Sequence, residues 1–225
     1  MKFLCFLNSG CIDICKNMLI SAENVGINMD DFYIACLDSN AYEKMNSYKN
    51  AFLYLDQKIT NYQEWSFDEG TEFRNIVKHK WKLIEEIHNQ FPNLCWVDVD
   101  IVFKQNPIPY ISNDSFILFQ SDSPDHDGPQ NWICTGFMVF NGEEYSYEFI
   151  SECAIHSNED DQLIANKVAN KYFDNINLLQ PELFPNGNVY YNHGMKDNVV
   201  IVHNNWMKGI DIKIQKFKEE NLWFL

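Results

Sequence analysis

Two aspartates one residue apart, Asp98 and Asp100, interrupt an otherwise apolar run over residues 94–103. A short continuous apolar run predicts a buried strand of a parallel sheet, and such sheets bind ligands beyond the carboxyl ends of their strands. Because side chains alternate along a strand, we expect both carboxylates on one side and Val99 on the other. Two ionised carboxylates at this spacing repel each other, and a divalent cation with oxygen ligands removes that cost. The run therefore predicts a hard metal at a strand end, holding a phosphorylated substrate.

An alternative for the same pair is a strand that ends at a solvated loop and carries two ordinary surface carboxylates. Residues 101–103, Ile-Val-Phe, continue the apolar run beyond Asp100. The two acids are therefore not expected to face open water, and the metal interpretation is favoured.

The length and composition of the chain predict one large domain over residues 1–225. With 46% apolar and 15% aromatic residues, the chain can build a sizeable core. A net charge of −15 argues against nucleic acid as a partner, and it requires local positive charge wherever an anionic substrate binds. Among the seven cysteines, Cys11 and Cys15 are one helical turn apart, but no second Cys/His pair has zinc-site spacing. The cysteines are expected to be reduced thiols.

Neither a membrane span nor a secretory signal is predicted. No stretch reaches the roughly 20 apolar residues that a span needs, and the apolar segment at residues 3–7 is shorter than the core of a secretory signal. We therefore expect residues 2–7 to form the first strand. A cytoplasmic protein is expected, from a microbe or a virus.

Apolar segments and helical periods alternate along the chain. Strands are predicted at residues 2–7, 32–37, 51–55, 94–103, 115–120, 132–141 and 199–202. Helices are predicted at about residues 12–24, 38–47, 73–91, 145–155 and 160–173, with Ser157 or Asn158 as the N-cap of the last one. Residues 57–71 are expected to form a loop, and residues 121–130 a turn-rich segment. This alternation predicts an α/β fold with a mostly parallel central sheet flanked by helices.

Lys80 falls in the middle of the apolar face of the helix predicted at residues 73–91. A lysine on a buried stripe is costly unless it is paired or aimed at an anion. One alternative is that its ammonium group snorkels to the surface. The other is that Lys80 reaches a phosphate or an active-site acid.

Two later residues bear on the same region. Gly136 lies inside a predicted strand, which indicates a bulge or a close approach to the backbone. His203 follows directly after the apolar segment at residues 199–202, so it is placed at a second strand end, where it can meet a ligand.

Short stretches that include these residues follow one another in an order that resembles a known family. They are Leu7-Asn8, residues 19–21, 35–38 with Ala41-Tyr42, 96–103 with Asn106-Pro107, 120–122, 135–137, Asp161-Gln162, 184–187 and 203–205. Together they extend over nearly the whole chain. The sequence is similar to the nucleotide-diphospho-sugar transferases of GT-A fold, specifically the family with the plant cell-wall xylosyl- and arabinosyltransferases. The resemblance implies a single GT-A (Rossmann-like) domain.

The resemblance implies a metal site, because the D-x-D motif of such enzymes binds Mn²⁺, with Mg²⁺ as the alternative, and the diphosphate of a nucleotide sugar. By that likeness, Asp100 and His203 ligate the metal directly, and Asp98 contacts the metal shell or the ribose. Gly209 and Lys213 bind the donor phosphates, with Lys213 on a phosphate oxygen.

Further donor contacts follow from the same likeness. Asn8 and Ser9 end the first strand, where such folds hold the base and the ribose, and Asp38 joins them from the second strand. His193 is a rival for the role of metal-binding histidine, and it ranks second because it follows a turn with no clear strand.

The resemblance also implies a retaining reaction that gives an α-linkage. Asp161 is the best carboxylate for a position near the anomeric carbon, with Gln162 beside it and Asp122 as another candidate. Lys80 lies at about the spacing of a functional lysine of the family. A double displacement through a carboxylate and a same-face route that relies on positioning both stay open.

The expected donor is a UDP sugar, on the strength of the family alone. The expected acceptor is a hydroxyl group of a glycan, a protein or a lipid-linked molecule. Trp132 and Trp206 are candidates for stacking on sugar rings, and burial of both in the core is the alternative.

Two other functions compete with this one. An aspartate-nucleophile phosphatase also carries D-x-D after an apolar strand, but there the pair lies near the N-terminus and is followed by Gly-Thr, whereas Ile101-Val102 follows it here. A non-catalytic sugar-nucleotide binder, a relic of a transferase, is the second competitor. The joint presence of Lys80, Asp161 and His203 with the aspartate pair argues against decay.

Overall fold

The structure is a computed structural model that describes residues 1–56, 72–111, 117–123 and 132–225. Its strands are β1 (Lys2–Leu7), β2 (Phe32–Cys36), β3 (Ala51–Leu53), β4 (Asn93–Val97), β5 (Ile101–Phe103), β6 (Ile117–Ser121), β7 (Ile133–Asn141), β8 (Ile176–Leu178) and β9 (Ile201–His203). Its helices are α1 (Ile12–Asn24), α2 (Ser39–Met45), α3 (Glu72–Val77), α4 (Lys80–His88), α5 (Glu144–Ile155), α6 (Asp161–Ala169), α7 (Gly187–Asn192) and α8 (Ile210–Glu219). The loop predicted at residues 57–71 and most of the segment 121–130 lie outside the described residues.

A seven-stranded sheet in the order β3-β2-β1-β4-β7-β6-β8 forms the centre of the molecule. Strands β3, β2, β1 and β4 are parallel to one another, and β6 is parallel to β8. Only β7 runs antiparallel to the strands beside it, among those described. The prediction of an α/β fold with a mostly parallel sheet flanked by helices is confirmed.

The apolar runs of the strands are continuous because both faces of the sheet are covered. Along β1, Phe3 and Cys5 pack into one core cluster with residues of α1, whereas Leu4 packs into a second cluster with residues of α4, α5 and α6. Alternate side chains of one strand thus serve two cores, as the period of two requires. This explains why the central strands lack the polar alternation of a half-exposed sheet.

The run at residues 94–103 forms two strands, so the prediction of a single strand was wrong. Strand β4 ends at Val97, where the N–H of Asp98 donates to the Gly136 carbonyl at 2.8 Å. The chain then turns, and β5 pairs antiparallel with β9 in a separate two-stranded sheet. Residues 94–97 of β4 and all of β5 are buried, in different sheets, and for that reason the apolar pattern continues on both sides of the two aspartates.

The prediction of one continuous helix at residues 73–91 was also wrong. The segment is divided into α3 and α4, with a turn at Lys78 and His79 between them. The later helix predicted at residues 160–173 ends at Ala169, and Asp160 is its N-cap because its Oδ1 accepts from the N–H of Leu163 at 2.7 Å. Neither Ser157 nor Asn158 has the predicted capping role.

The cysteines and the helices bear on two other expectations. All seven cysteines are free thiols. No helix within the described ranges combines the length and the apolar character needed to cross a membrane.

Gly142, which follows β7, has a positive φ of +74° and lies against Pro92. A Cβ at this position would lie 2.5 Å from the Cβ of Pro92. Gly194 offers a matched control, because its φ is +70° but a Cβ there would meet nothing within 4 Å. The two positions share the backbone strain of the left-handed region and differ in the steric clash.

We expect Gly194→Ala to lower the free energy of unfolding by roughly 1–2 kcal/mol, the cost of left-handed backbone in an alanine. Gly142→Ala should cost at least about 1 kcal/mol more, because Pro92 is held in the chain and has to be displaced. Urea denaturation of the two variants measures the difference. Equal losses would contradict the close contact with Pro92.

His88, the last residue of α4, is a buried imidazole in ring contact with Phe140 and Tyr147. Its Nε2 has no hydrogen-bond partner among the described residues. Burial lowers the pKa of His88 from 6.5 to about 4, against an opposing hydrogen bond to the backbone of Pro92. The folded protein resists protonation of this ring. The contribution of the neutral ring to the free energy of unfolding is therefore complete above the pKa of His88 in the unfolded chain, and it is lost as the pH falls below that value.

Protonation of His88 should therefore lower the free energy of unfolding by about 3 kcal/mol between pH 7 and pH 4. The variant His88→Phe should lose that much less stability over the same range, because phenylalanine fills the aromatic site and does not titrate. Urea denaturation at several pH values tests this. The same substitution at His156, which is exposed, should leave the pH dependence unchanged; an unchanged dependence in His88→Phe would contradict the role of the buried ring.

Candidate functional site

A cavity of about 710 Å³ opens where β1, β4 and β6 end and β7 begins. Most of the predicted site residues line it, namely Asn8, Lys80, Asp98, Asp100, Asp122, Asp161, Gln162, His203, Gly209 and Lys213. Ser9 and Asp38 do not line it. The position of the cavity agrees with the expectation for an α/β sheet, whose ligands bind beyond the carboxyl ends of the strands.

Asp98, Asp100 and His203 converge on one point of the cavity wall. One ligand atom from each lies within 4.8 Å of the others. Asp98 follows β4, Asp100 precedes β5, and His203 is paired with Ile101 in the small sheet, which brings it beside Asp100. Asp100 and His203 are only 6% and 1% exposed. The turn after β4, rather than the alternation of one strand, brings the two carboxylates together.

The His203 ring is oriented by Gln120, a residue to which the sequence analysis assigned no role. His203 Nδ1 lies 2.7 Å from Oε1 of Gln120. The amide nitrogen of Gln120 donates to the carbonyls of Phe184 and Pro185, which fixes Oε1 toward the ring. Nδ1 therefore carries the proton, and the lone pair of Nε2 is left without a hydrogen-bond partner among the described residues, 3.4 Å from Oδ1 of Asp100.

Gly136 makes room for this ring. A Cβ on Gly136 would lie 2.1 Å from Cε1 of His203 and 3.1 Å from Oδ2 of Asp98. The pairing of β6 with β7 shifts register here, since Phe119 pairs with Met138 and Gln120 with Cys134. The sequence predicted a bulge or a close approach at Gly136, and the structure has both.

The ligand set fits a divalent transition metal. Two carboxylates and an imidazole nitrogen with a free lone pair are donors that Mn²⁺ accepts, whereas Mg²⁺ prefers oxygen ligands throughout. A histidine whose second nitrogen donates to a fixed carbonyl oxygen is the usual arrangement of a metal ligand. Asp98, Asp100 and His203 are thus the residues in the described part of the chain that would hold such an ion.

Lys213 neutralises Asp100. Its Nζ lies 2.6 Å from Oδ2 of Asp100. Burial raises the pKa of the Asp100 carboxyl, but opposing effects, of which the charge of Lys213 is the largest, hold the pKa well below its usual range. Asn204 positions both partners, because its backbone N–H donates to the Asp100 carbonyl and its side chain donates to the Lys213 carbonyl. Gly209, with φ +89°, is the N-cap residue of the helix that carries Lys213.

Lys80 is buried and does not snorkel. Its Nζ lies 3.1 Å from Oδ1 of Asp98 and 2.9 Å from Oδ2 of Asp161, and 5.0 Å from the centre of the Trp96 ring. Burial lowers the pKa of this ammonium group, but the two carboxylates raise the pKa by more than burial lowers it. Lys80 therefore stays charged. Of the two sequence interpretations, contact with active-site acids is the one that the geometry supports.

Three other predicted site residues, Asp122, Asp161 and Gln162, form a hydrogen-bond network with Thr135. The Thr135 hydroxyl donates to Oδ2 of Asp161 at 2.7 Å, and its N–H donates to Oε1 of Gln162 at 3.3 Å. The Gln162 amide donates in turn to Oδ2 of Asp122 at 2.8 Å. Burial raises the pKa of Asp122, against hydrogen bonds from Gln162, Trp206 and other groups. Thr135 was missed as a network residue, because a threonine in a strand is ordinary.

Asp38 and Ser9 interact with each other beside the cavity. Asp38 is the N-cap of α2, where its Oδ1 accepts from the N–H of Ala41 at 2.8 Å. It also accepts from the Ser9 N–H at 2.7 Å and from the Ser9 hydroxyl. Asn8 alone of these three lines the cavity. Donor binding by Ser9 and Asp38 stays a prediction.

Two aromatic residues and the rival histidine are also placed. Trp132 and Trp206 are 43% and 48% exposed and line the cavity, so neither belongs to the core. His193 is exposed at the end of α7 and does not line the cavity.

Known proteins are similar to this chain in sequence and in fold. The family model described as nucleotide-diphospho-sugar transferase matches residues 27–217. A UDP-galactose:fucoside alpha-3-galactosyltransferase from Dictyostelium discoideum is 24% identical, over 100% of this chain and 43% of its own length. A UDP-D-xylose:L-fucose alpha-1,3-D-xylosyltransferase from Arabidopsis thaliana is 24% identical, over 99% of this chain and 67% of its own length. The chain thus spans less than half of the Dictyostelium relative.

The solved structure of the galactosyltransferase LgtC in complex with donor and acceptor sugar analogues has the same fold. It superposes with a TM-score of 0.56 at 11% identity, over 90% of this chain and 86% of its own length. The central sheet and flanking helices are those of the GT-A fold, as expected. Because the family model matches most of the sequence, the chain belongs to the nucleotide-diphospho-sugar transferase family.

Proposed function

We propose that this chain is a metal-dependent retaining glycosyltransferase. It moves a sugar from a nucleotide diphosphate to a hydroxyl group of a glycan or protein acceptor and forms an α-linkage. The observation that carries the proposal is the cluster of Asp98 with the buried Asp100 and His203, in which the unpartnered Nε2 of His203 faces two carboxylates. Mn²⁺ is the proposed ion, with Mg²⁺ as the second choice.

The names of the relatives support the donor and the acceptor class. Both relatives are named as UDP-sugar transferases that form alpha linkages, one on a fucoside and one on L-fucose. They differ in the sugar they transfer, galactose or xylose. UDP and a glycan acceptor are therefore proposed here, and the transferred sugar is left open.

The residues of this chain divide the work between two ends of the cavity. Asp98, Asp100 and His203 hold the ion, which when bound supplies positive charge to the departing diphosphate. Lys213 contacts Asp100 and therefore lies beside the proposed metal site. There it adds a second cation for the phosphate oxygens. Asn8, at the end of β1, is proposed to contact the nucleoside.

The contacts of Asp161 favour the same-face route over double displacement. A carboxylate nucleophile needs an unencumbered oxygen aimed at the anomeric carbon. Asp161 is only 7% exposed, and one of its two carboxylate oxygens, Oδ2, is occupied by Lys80 and by the Thr135 hydroxyl, so that Oδ1 alone is left for a substrate. We therefore propose that Asp161 and Gln162 position the sugar, while Lys80 holds Asp161 and Asp98 at a fixed separation.

Two competing functions lose support. The phosphatase interpretation was wrong, because the chain belongs to the transferase family. The interpretation as a non-catalytic relic is disfavoured because the predicted residues Lys80, Asp98, Asp161 and His203 are not only present but in mutual contact or in one cluster.

The metal assignment is tested with Asp100→Asn. With MnCl₂ and UDP at 100 times its Kd, the wild-type protein should gain roughly 2.7 kcal/mol of stability. The variant should lose the manganese-dependent part of that gain, because it removes a charged ligand. Asp174→Asn, an exposed aspartate outside the cavity, is the matched control. Thermal shift with and without chelator measures both; an unchanged shift in Asp100→Asn would overturn the metal assignment.

Lys213→Met should change the affinities for metal and nucleotide in opposite directions. The Lys213 ammonium occupies Oδ2 of Asp100, so its removal should strengthen Mn²⁺ binding in the absence of nucleotide, by several-fold. The same change should weaken UDP binding at saturating Mn²⁺ by at least tenfold, because one phosphate contact is lost. Isothermal titration calorimetry measures the two steps separately.

Lys216→Met is the control for this experiment, since Lys216 lies on the same helix and pairs with Glu219. Both affinities should stay at wild-type values in that variant. Weaker Mn²⁺ binding by Lys213→Met would show that the lysine does not compete with the ion.

A further inference from the structure

The two sides of the cavity differ, and the order of strands separates them. Asn8 follows β1, on one side of Asp98 in the sheet, whereas Asp122 follows β6 and Trp132 precedes β7, on the other side. Cys11, close after Asn8, packs in the same apolar cluster as Ile214, the neighbour of Lys213, which places Lys213 on the Asn8 side. The nucleotide and its phosphates are therefore assigned to the β1 side, and the β6–β7 side is left for the other substrate.

Three exposed apolar side chains lie on the β6–β7 side. Trp132, Leu163 and Trp206 line the cavity and are 43%, 42% and 48% exposed. Apolar surface of this size inside a cavity is typical of a ligand contact. Indoles in particular offer large rigid surfaces at a small entropic cost.

Asp122 holds these residues around itself. Its backbone N–H donates to the Trp132 carbonyl at 2.9 Å, and its Oδ1 accepts from Nε1 of Trp206 at 3.1 Å. Its Oδ2 accepts from Gln162, the neighbour of Leu163. The polar edge of the Trp206 indole is thus already used, so what Trp206 offers a ligand is its apolar ring surface.

The charge beside this patch selects against anions. Two carboxylates, Asp122 and Asp160, line the cavity next to Trp206 and Leu163 and outnumber the ammonium group of Lys208, which lines it near Trp206. The whole chain carries a net charge of −15. A sugar that bears a carboxylate or sulfate would approach these groups against electrostatic repulsion. An uncharged sugar would meet no such barrier.

We propose that Trp132, Leu163 and Trp206 form the acceptor subsite and that it binds an uncharged glycoside through the apolar face of its ring. This inference rests on the proposed function, since the donor side defines which substrate remains for the patch. It adds the identity of the acceptor contacts and the charge class of the acceptor.

The probes are a set of neutral methyl glycosides (fucoside, galactoside, glucoside and xyloside) and the anionic methyl galacturonide. Saturation-transfer NMR and titration in the presence of MnCl₂ and UDP should show binding of at least one neutral glycoside. The galacturonide should bind at least tenfold more weakly than the best neutral probe at low salt, with a smaller difference at high salt. Equal or tighter binding of the galacturonide would overturn the charge assignment.

The patch is tested with Trp132→Leu and Trp206→Leu. Each should raise the Kd of the best neutral glycoside at least tenfold, and Trp132→Tyr should recover most of the loss because it restores an aromatic ring. Phe173→Leu, at an aromatic residue that is 62% exposed outside the cavity, is the control. Wild-type affinity in both leucine variants would overturn the proposal.

The thermal shift with UDP and Mn²⁺ separates failure of this inference from failure of the proposed function. It also reports whether each variant is folded. A retained shift together with no binding of any neutral glycoside to the wild-type protein would overturn the subsite and leave the proposed function standing. Loss of the shift in the wild-type protein would overturn both.

Discussion

The ion pairs of Lys80 and Lys213 are the interactions on which the cavity depends. Asp98, Asp100 and Asp161 bring three carboxylates to its wall in a chain of net charge −15. Removing carboxylates from water without a partner costs several kcal/mol each. Lys80 lies between Asp98 and Asp161, and Lys213 lies on Asp100, so the chain itself supplies a cation to every one of them.

These pairs also hold distant parts of the chain together. Lys80 begins α4 and joins the end of β4 to the start of α6, while Lys213 joins α8 to the turn before β5. Fold and site therefore depend on the same contacts. Removing one partner of a buried pair leaves an uncompensated charge, so we expect changes at either lysine to alter stability as well as binding. This is why the experiments above measure metal and nucleotide affinity separately from the free energy of unfolding.

The sequence predicted those residues whose chemistry is costly in apolar surroundings. Two aspartates inside an apolar run, a lysine on an apolar helical face and a glycine inside a strand each require a physical reason, and each lines the cavity. Gln120 and Thr135 were missed because neutral polar side chains in strands require none. Their roles arise from partners far away in sequence, His203 and Gln162.

Some boundaries of strands and helices were predicted wrongly for a related reason. The break after Val97 cannot be read from residues 94–103, because β4 is buried in the main sheet and β5 in the small one. A hydrophobic pattern indicates that residues are buried, but it does not indicate in which sheet they are buried. The capping of α6 by Asp160 shows the same limit, since several neighbouring polar residues were equally suitable and only the tertiary position of the helix selects one.

The register shift in the β6–β7 pair links the metal cluster to the residues proposed to position the sugar. Because Phe119 pairs with Met138 and Gln120 with Cys134, residues 135–137 of β7 have no partner residue on β6. The Thr135 N–H is thereby released to donate to Gln162, and Gly136 is placed where His203 packs against it. Bulges of this kind re-aim side chains beside active sites. A regular ladder would have paired this segment with β6 and withdrawn the Thr135 N–H from Gln162, so the irregularity is part of what makes the cavity a site.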